Sequence, residues 1–242
     1  TPVTSFFLAA WSTSVKATMT PATSILLAAW STSVKATMTP ATSILLAAWL
    51  TSVKATMWTS EQWAQNRYNV CFGESFSLRT SPRNYLLGIK NCGIELGAEY
   101  VFDWTHRPSV MYAKAKTDVF YTVMMVEPAD HCEEAEYYLH WLELNIAGQR
   151  LQVGRPLIHT TTVSDYQRPK SFSTGGGQKI FQFMIFEQSA RMFYGGKWYH
   201  DVAQRRNFKV HQFLRNQVSH FIGPLAGLQF MVFVPPEDEA QY

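Results

Sequence analysis

Large apolar side chains recur every fourth residue in the first quarter of this 242-residue chain. Residues 1–57 consist of three near copies of one 19-residue unit. In the first copy the recurring apolar side chains are Phe7, Trp11, Val15 and Met19. This spacing places them on one face of a helix, while Pro21 and Pro40 interrupt any helix that continues across a unit boundary. The pattern predicts an appendage of three short amphipathic helices.

Beyond the repeats, apolar residues form short runs that are rich in aromatic and β-branched side chains, which is typical of strands. Residues 84–90, 97–104 and 107–112 predict the first strands, the last of them an edge strand. We therefore divide the chain into the repeats (1–57), connecting strands and turns (58–99) and a β-rich domain (100–242). We expect an α+β fold that is mainly β, with a few peripheral helices, one of them in the region 202–218.

Composition supports a packed domain, because 47% of the residues are hydrophobic. No apolar run approaches the roughly 18 residues that a membrane-spanning helix needs, so no transmembrane segment is expected. The cysteines are odd in number and scattered, at Cys71, Cys92 and Cys132. They predict free structural thiols in a reducing compartment. Because the sequence shows no Cys/His cluster, we expect no metal and no other cofactor.

The formal net charge of +3 lies wholly in the N-terminal region, because residues 1–60 contain three lysines and no acid. A Ser/Thr-rich, acid-free amphipathic segment is similar to an organellar presequence, although such presequences normally contain arginine. Two interpretations therefore remain for the repeats. They are either a presequence or organellar tail, or a decoration that is solvated or docked on a partner.

A second charged region spans residues 191–220, where the single acid, Asp201, accompanies six basic residues and many aromatic rings. Cations interleaved with aromatic side chains can bind a phosphate backbone and stack on bases. The alternative is an ordinary cationic helix face. The candidate RNA-contacting residues are Arg191, Lys197, Arg205, Arg206, Lys209 and Arg215.

Signals for catalysis are weak. Ser164, Asp165 and His159 could suggest a nucleophile with its base, but no Gly-x-Ser-x-Gly turn is present. An acidic cluster beside His131, formed by Glu133, Glu134 and Glu136, lacks a second histidine at a metal-ligand spacing. We therefore expect polar loop residues in both places and a protein that is not an enzyme.

Three segments resemble one known family. Residues 121–131 end in Val-Glu-Pro-Ala-Asp-His, and residues 138–148 read Tyr-Leu-His-Trp-Leu-Glu-Leu-Asn-Ile-Ala-Gly. Ser-Asp-Tyr at 164–166 is followed by a strand-like run that ends in Glu-Gln at 187–188. In this order the segments are similar to the phosphatidylethanolamine-binding protein (PEBP) family over about residues 100–234. The resemblance implies a PEBP-like sandwich of two antiparallel sheets with peripheral helices.

The family's small anion pocket, which two aspartates and two histidines line, is altered in this chain. By resemblance, Glu127 replaces the first aspartate, Ala129 the second, and Lys179 the second histidine, while Pro128 and His140 are retained. Loss of a carboxylate and an imidazole removes groups that orient an anion, so binding of small anions is not expected. The predicted vestigial pocket therefore comprises Glu127, Pro128, His140 and Lys179, with His140 hydrogen-bonded to Glu127 in the core.

Erosion of this pocket around a retained Tyr-Leu-His-Trp-Leu strand resembles a branch of the family found in the mitochondrial large ribosomal subunit. The resemblance implies a non-catalytic structural subunit in the mitochondrial matrix, which contacts neighbouring subunits and, in part, rRNA. Two alternatives remain. One is a soluble PEBP module that binds phospholipid headgroups or phosphate, and the other is a supernumerary subunit of a mitochondrial respiratory or ATP synthase complex.

Overall fold

The computed structural model describes residues 57–97, 100, 102–129, 136–169, 177–196, 198–216 and 220–234. The predictions made for the 19-residue repeats fall outside these residues, apart from Met57. Those made for His131 and Lys197 also lie outside them.

Two β-sheets form the framework of the described residues. In chain order their strands are β1 (Phe76–Arg79), β2 (Leu86–Gly88), β3 (Ile94–Leu96), β4 (Ser109–Tyr112), β5 (Phe120–Pro128), β6 (Tyr137–Ala147), β7 (Thr161–Ser164), β8 (Gly177–Gln188) and β9 (Phe221–Val234). The larger sheet has the order β3-β9-β8-β5-β6-β7, and the smaller has the order β2-β1-β4. Neighbouring strands are antiparallel except for β3, which runs parallel to β9. The predicted edge strand at 107–112 is confirmed as β4.

Apolar side chains cover both faces of the larger sheet, as the alternation along β8 shows. Phe181 and Phe183 belong to a core cluster shared with the smaller sheet, and that cluster includes Leu78 and Val110. Phe186, on the opposite face, belongs to a second cluster with residues of the helices. The predicted two-sheet, β-rich fold is therefore confirmed. Its strands read as nearly continuous apolar runs because both faces are buried.

Short helices flank the sheets: α1 (Ser60–Gln65), α2 (Gly148–Leu151), α3 (Val202–Arg205) and α4 (Val210–Asn216). The peripheral helix expected in the region 202–218 is present there as two short helices, because α3 ends at Arg205 and α4 begins at Val210. Between them Phe208 exchanges backbone hydrogen bonds with Tyr137, at 3.0 and 2.8 Å. This pairing draws the chain onto the end of β6 and interrupts the helix. No helix among the described residues is long and apolar enough to span a membrane.

The strand expected at 97–104 is wrong where the chain is described, because Phe102–Trp104 forms a 3-10 turn. The turn places the buried indole of Trp104 against Phe230, with 4.4 Å between ring centroids. Packing of one large ring into the core thus overrides the strand preference of the local sequence.

The expectation of three free thiols is also wrong. Cys71 and Cys92 form a disulfide across 21 residues of sequence. It joins the segment before β1 to the turn before β3. Linear spacing gave no indication of it, because the fold alone determines which scattered cysteines meet. The disulfide also removes the thiol-based argument for a reducing compartment.

Candidate functional site

The predicted pocket begins where β5 ends beside β6. Met125 pairs with Trp141 and Val126 pairs with Leu139, so His140 occupies a bulge with no residue directly opposite. His140 and Trp141 therefore both turn toward the core between the sheets: His140 contacts Phe181, at 5.1 Å between ring centroids, and Trp141 lies in the same cluster. β-Bulges commonly redirect a side chain in this way beside binding sites.

His140 and Glu127 form a buried pair. The imidazole Nε2 lies 3.1 Å from Oε2 of Glu127, and the two side chains are 0% and 2% exposed. The imidazole Nδ1 lies 3.3 Å from the carbonyl oxygen of Gln167. Because a carbonyl only accepts, Nδ1 is the ring nitrogen that donates to Gln167, and Nε2 faces Glu127. The predicted contact is present, and it engages both ring nitrogens of His140.

Aromatic rings enclose the imidazole. The ring of Tyr138 lies 4.9 Å from His140, and Phe181 approaches from another side edge-on. The Tyr138 hydroxyl donates to Oε1 of Gln167 at 2.8 Å. Burial raises the pKa of Tyr138 to about 12, so its hydroxyl remains a donor at neutral pH. The space where an anion would need polar groups therefore presents aromatic carbon.

The other two predicted pocket residues are also buried. Pro128 ends β5 directly after Glu127. Lys179 lies on β8, where it pairs with Val232, and only 5% of it is exposed. The register between β5 and β8 ends at the Val126–Gln182 pair, before Lys179 is reached. Glu127, Pro128 and His140 thus come together, and Lys179 is buried on β8, two residues from Phe181, whose ring contacts His140.

Arg205 is an interior residue and not a surface cation. Its Nη1 donates to the carbonyl oxygens of Leu139, His140 and Asp165, at 3.3, 3.0 and 2.7 Å. The residue is 1% exposed, and burial lowers the pKa of its guanidinium from the ordinary value. Arg205 therefore anchors α3 to β6 behind the His140 pair. No local sequence pattern predicts this role, because Arg205 and the exposed Arg206 are adjacent and chemically identical.

A separate groove of about 390 Å³ lies beside α3 and α4. Among the described residues it is lined by Tyr194, Gly196, Tyr199, Gln204, Arg206, Asn207, Phe208, Lys209, Gln212, Phe213 and Asn216, which we call the basic groove. Only some of the predicted RNA-contacting residues line this groove. Arg206 and Lys209 line it, whereas Arg215 is exposed on α4 outside the lining. Arg191 lies over the ring of Phe120, at 5.9 Å from its centroid.

The residues considered for catalysis and metal binding have structural partners. The Ser164 hydroxyl is buried and donates to the carbonyl oxygen of Tyr199 at 3.0 Å. The side chain of Asp165 is 75% exposed and lies 4.0 Å from His200. Glu136, from the acidic cluster, lies 3.4 Å from Nζ of Lys209. Ser164 is thus a buried residue of β7 and not the polar loop residue that was expected, while Asp165 lies directly after that strand.

A buried carboxylate escaped sequence analysis. Glu143 is fully buried, and its Oε1 accepts from the hydroxyls of Thr160 and Thr162, the latter at 2.9 Å. Its Oε2 accepts from Nε1 of Trp141 at 3.0 Å, and Arg107 lies 3.7 Å away. Each oxygen is engaged, so Glu143 ties β6 to the chain around β7. It was missed because it lies within a long apolar run, where a charged residue has no periodic signal.

Sequence comparison identifies no relatives: no family model matches this chain, and no curated protein matches it. Comparison of structures finds solved proteins of similar fold. A chain in the crystal structure of carboxypeptidase Y inhibitor complexed with the cognate proteinase superposes with a TM-score of 0.50 and 12% identity. The match covers 72% of this chain and 92% of that one.

Two further solved structures match less well. The phosphatidylethanolamine-binding protein from Plasmodium vivax has a TM-score of 0.49 and 12% identity, over 73% of this chain and 98% of that one. The putative PEBP homolog CT736 from Chlamydia trachomatis has a TM-score of 0.41 and 11% identity, over 68% and 100%. At such low identity the comparisons concern the fold alone. Together with the two-sheet architecture, the first match shows that this chain has a PEBP-like fold.

Proposed function

We propose that this chain is a non-catalytic scaffold subunit of a large assembly, and that its PEBP-like domain acts through its outer surface. The observation that carries the proposal is the buried hydrogen bond between Glu127 and His140. In an anion pocket these two side chains would have to face the ligand, but here they bind each other. Both lie inside the core, where neither is accessible to a solute.

Opening this site to a phosphate would be costly. The imidazole would have to leave Glu127, and the loss of a hydrogen bond by a buried polar group costs about 1 to 3 kcal/mol or more. The phosphate would then lie next to that carboxylate, and two negative charges repel strongly in a medium of low dielectric constant. Lys179 is a flexible point donor, so it restores little of the geometry that the family's second histidine supplies. These costs favour a structural role for the pair.

The mitochondrial large ribosomal subunit is the assembly that we propose. Support comes from the resemblance of residues 138–148 to the ribosomal branch of the family, and from the acid-free repeats at 1–57. In this setting, neighbouring proteins and rRNA would be the partners, and the mitochondrial matrix the location. The disulfide between Cys71 and Cys92 means that cysteine chemistry contributes no support for the matrix.

Sedimentation tests the choice of assembly. The full chain, carrying an affinity tag, is expressed in cells, and the mitochondrial lysate is separated on sucrose gradients at low and high salt. We expect it in the large-subunit fractions at both salt concentrations. Recovery with respiratory or ATP synthase complexes in detergent, or at the top of both gradients, would contradict the ribosomal assignment.

The main alternative is a protein that binds phosphate or phospholipid headgroups, because Pro128 and His140 retain the family's residue types. Calorimetric titration tests whether such binding has been lost. Purified chain is titrated with phosphoethanolamine and with inorganic phosphate. A scaffold should give only heats of dilution with both. Saturable heat that disappears in a His140→Ala variant would instead assign the chain to the headgroup-binding class. The variant is informative only if its circular dichroism remains that of a folded chain.

A further inference from the structure

The chemistry of the basic groove differs from that of the buried pocket. Its lining combines cations, amides and aromatic rings, and none of the described lining residues is Asp or Glu. We propose that the basic groove binds an unpaired nucleotide of single-stranded RNA. The inference deepens the proposed function and rests on it only for the source of the RNA, because the groove's chemistry is independent of the assembly.

Aromatic rings form one wall of the groove and support one another. Tyr194 lies 6.2 Å from Phe213, and Tyr199 meets Phe208 edge-on at 5.2 Å. Phe208 and Phe213 are 5.6 Å apart. Tyr194 and Tyr199 remain partly exposed at the groove, while the two phenylalanines behind them are buried. Such a backed tyrosine is a suitable surface for stacking, because a base can cover it without disturbing the core.

Two cations, Arg206 and Lys209, belong to the same lining. Arg206 is exposed, and a planar guanidinium suits phosphate oxygens, which it can bind with two parallel hydrogen bonds. Lys209 shares its charge with Glu136 at 3.4 Å, so Arg206 is the stronger candidate for the phosphate contact. Arg206 is also held in place, because the preceding Arg205 is fixed to three carbonyl oxygens in the interior.

Exposed amides complete the lining and distinguish RNA from other polyanions. Asn207, Gln212 and Asn216 are exposed, and each amide can donate to and accept from the edge of a base. An acidic peptide would use the cations but would leave these amides and the tyrosines without matching groups. The volume of about 390 Å³ suits a ligand the size of one nucleotide and is too small for a duplex.

Binding of fluorescein-labelled oligouridine to the full chain, followed by fluorescence anisotropy, tests the proposal. Arg206→Glu is compared with Arg215→Glu, because both reverse one exposed arginine and only the first lies in the groove. Loss of a charged hydrogen bond should raise the Kd of Arg206→Glu about tenfold or more. The Kd of Arg215→Glu should change less than about threefold, because exposed charges at a distance are screened.

An abasic RNA of the same length tests stacking. It offers the same phosphates without bases and should bind about fivefold more weakly or worse. Gln212→Glu provides a second groove variant, which adds a negative charge at an exposed site and should weaken RNA binding in the same way. It keeps the test valid if Arg206→Glu does not fold, which circular dichroism would reveal.

Unlabelled oligoglutamate and unlabelled oligouridine are also compared as competitors for the labelled RNA. Any of three results would overturn the inference: the groove variants weaken binding no more than Arg215→Glu does, abasic RNA binds as tightly as oligouridine, or oligoglutamate competes as well as oligouridine. Its failure is distinguishable from failure of the proposed function. A chain that binds oligouridine through the groove but does not sediment with ribosomal subunits rejects only the assembly. A chain that sediments with the subunits but shows no groove-dependent RNA binding rejects only the nucleotide site.

Discussion

Asn145 holds Met192 by both atoms of its side-chain amide. Its Nδ2 donates to the carbonyl oxygen of Met192 at 2.9 Å, and its Oδ1 accepts from the Met192 N–H at 2.8 Å. Gln188 adds two further bonds, because it accepts from the Asn145 N–H at 2.8 Å and donates to Oδ1 at 3.0 Å. The segment that follows Met192 leads to Tyr194. The strand that carries His140 is therefore connected to the wall of the basic groove.

We expect Asn145→Ala to lower the free energy of unfolding by about 3 to 5 kcal/mol. Part of the loss comes from the buried Met192 and Gln188 groups that are left without partners, and part from the backbone, since φ of Asn145 is 62°. Urea unfolding followed by tryptophan fluorescence measures it. Asn84→Ala is the control, because φ of Asn84 is 57° and its side chain is exposed. A loss no larger than that of the control would show that the amide bonds contribute nothing.

Glu127 and His140 should show strong energetic coupling. We expect Glu127→Ala and His140→Ala each to cost about 2 to 3 kcal/mol, because each removes one side of a hydrogen bond between two buried side chains. The double variant should cost little more than either single one, which gives a coupling energy of about 1 to 3 kcal/mol.

A double-mutant cycle in urea measures this coupling, and the exposed Glu74–Lys114 pair serves as the control. Its atoms are 3.5 Å apart, and its side chains are 82% and 59% exposed, so its coupling should stay below about 0.5 kcal/mol. Additive effects of Glu127→Ala and His140→Ala would contradict the internal pairing on which the proposed function rests.

Much of the fold follows from the sequence, because its strands carry strong local signals. The β8 strand alternates between two buried faces, and the run around His140 has no polar interruption long enough to be a loop. Resemblance to a family supplied the arrangement of these strands, which periodicity alone does not determine. It also placed Glu127 next to His140, although the chain has no recognisable relative by sequence comparison.

Other features were inaccessible because they depend on contacts between distant residues. Nothing local distinguishes buried Arg205 from exposed Arg206, since their difference arises from the carbonyl oxygens that β6 presents to Arg205. Pairing of Cys71 with Cys92 likewise depends on how the turn before β3 packs. The basic groove forms only when the segment after Met192 lies beside α4, so the sequence indicated its composition but not its shape.

The disulfide should contribute about 3 kcal/mol to stability, because closing a loop of this length restricts the unfolded chain by about that amount. We expect a reductant to lower the urea midpoint of the native chain to that of the Cys71→Ser/Cys92→Ser variant. Alkylation in denaturant, followed by mass spectrometry, should detect two additional thiols after reduction. The disulfide would be contradicted if the reductant lowered the urea midpoint of the variant as much as that of the native chain, or if reduction left the thiol count unchanged.

Stability should fall at alkaline pH because of buried tyrosines, of which Tyr137 is the most informative. It is 1% exposed, and burial raises its pKa to about 12 from the ordinary value of 10.0. The folded chain therefore holds this proton more tightly than the unfolded chain does. Below pH 10 the contribution of Tyr137 is fully present, and it is lost as the pH rises toward 12.

Replacement of Tyr137 by Phe should remove its part of this pH dependence. Between pH 8 and the middle of the window from pH 10 to 12, the free energy of unfolding should fall in both proteins. The fall should be about 1 to 2 kcal/mol smaller in the variant than in the native chain. Urea unfolding at several pH values measures this difference, and Tyr68→Phe is the control because that phenol is 54% exposed. If both variants lose stability with rising pH as the native chain does, the core cluster around Tyr137 does not protect its phenol from ionisation.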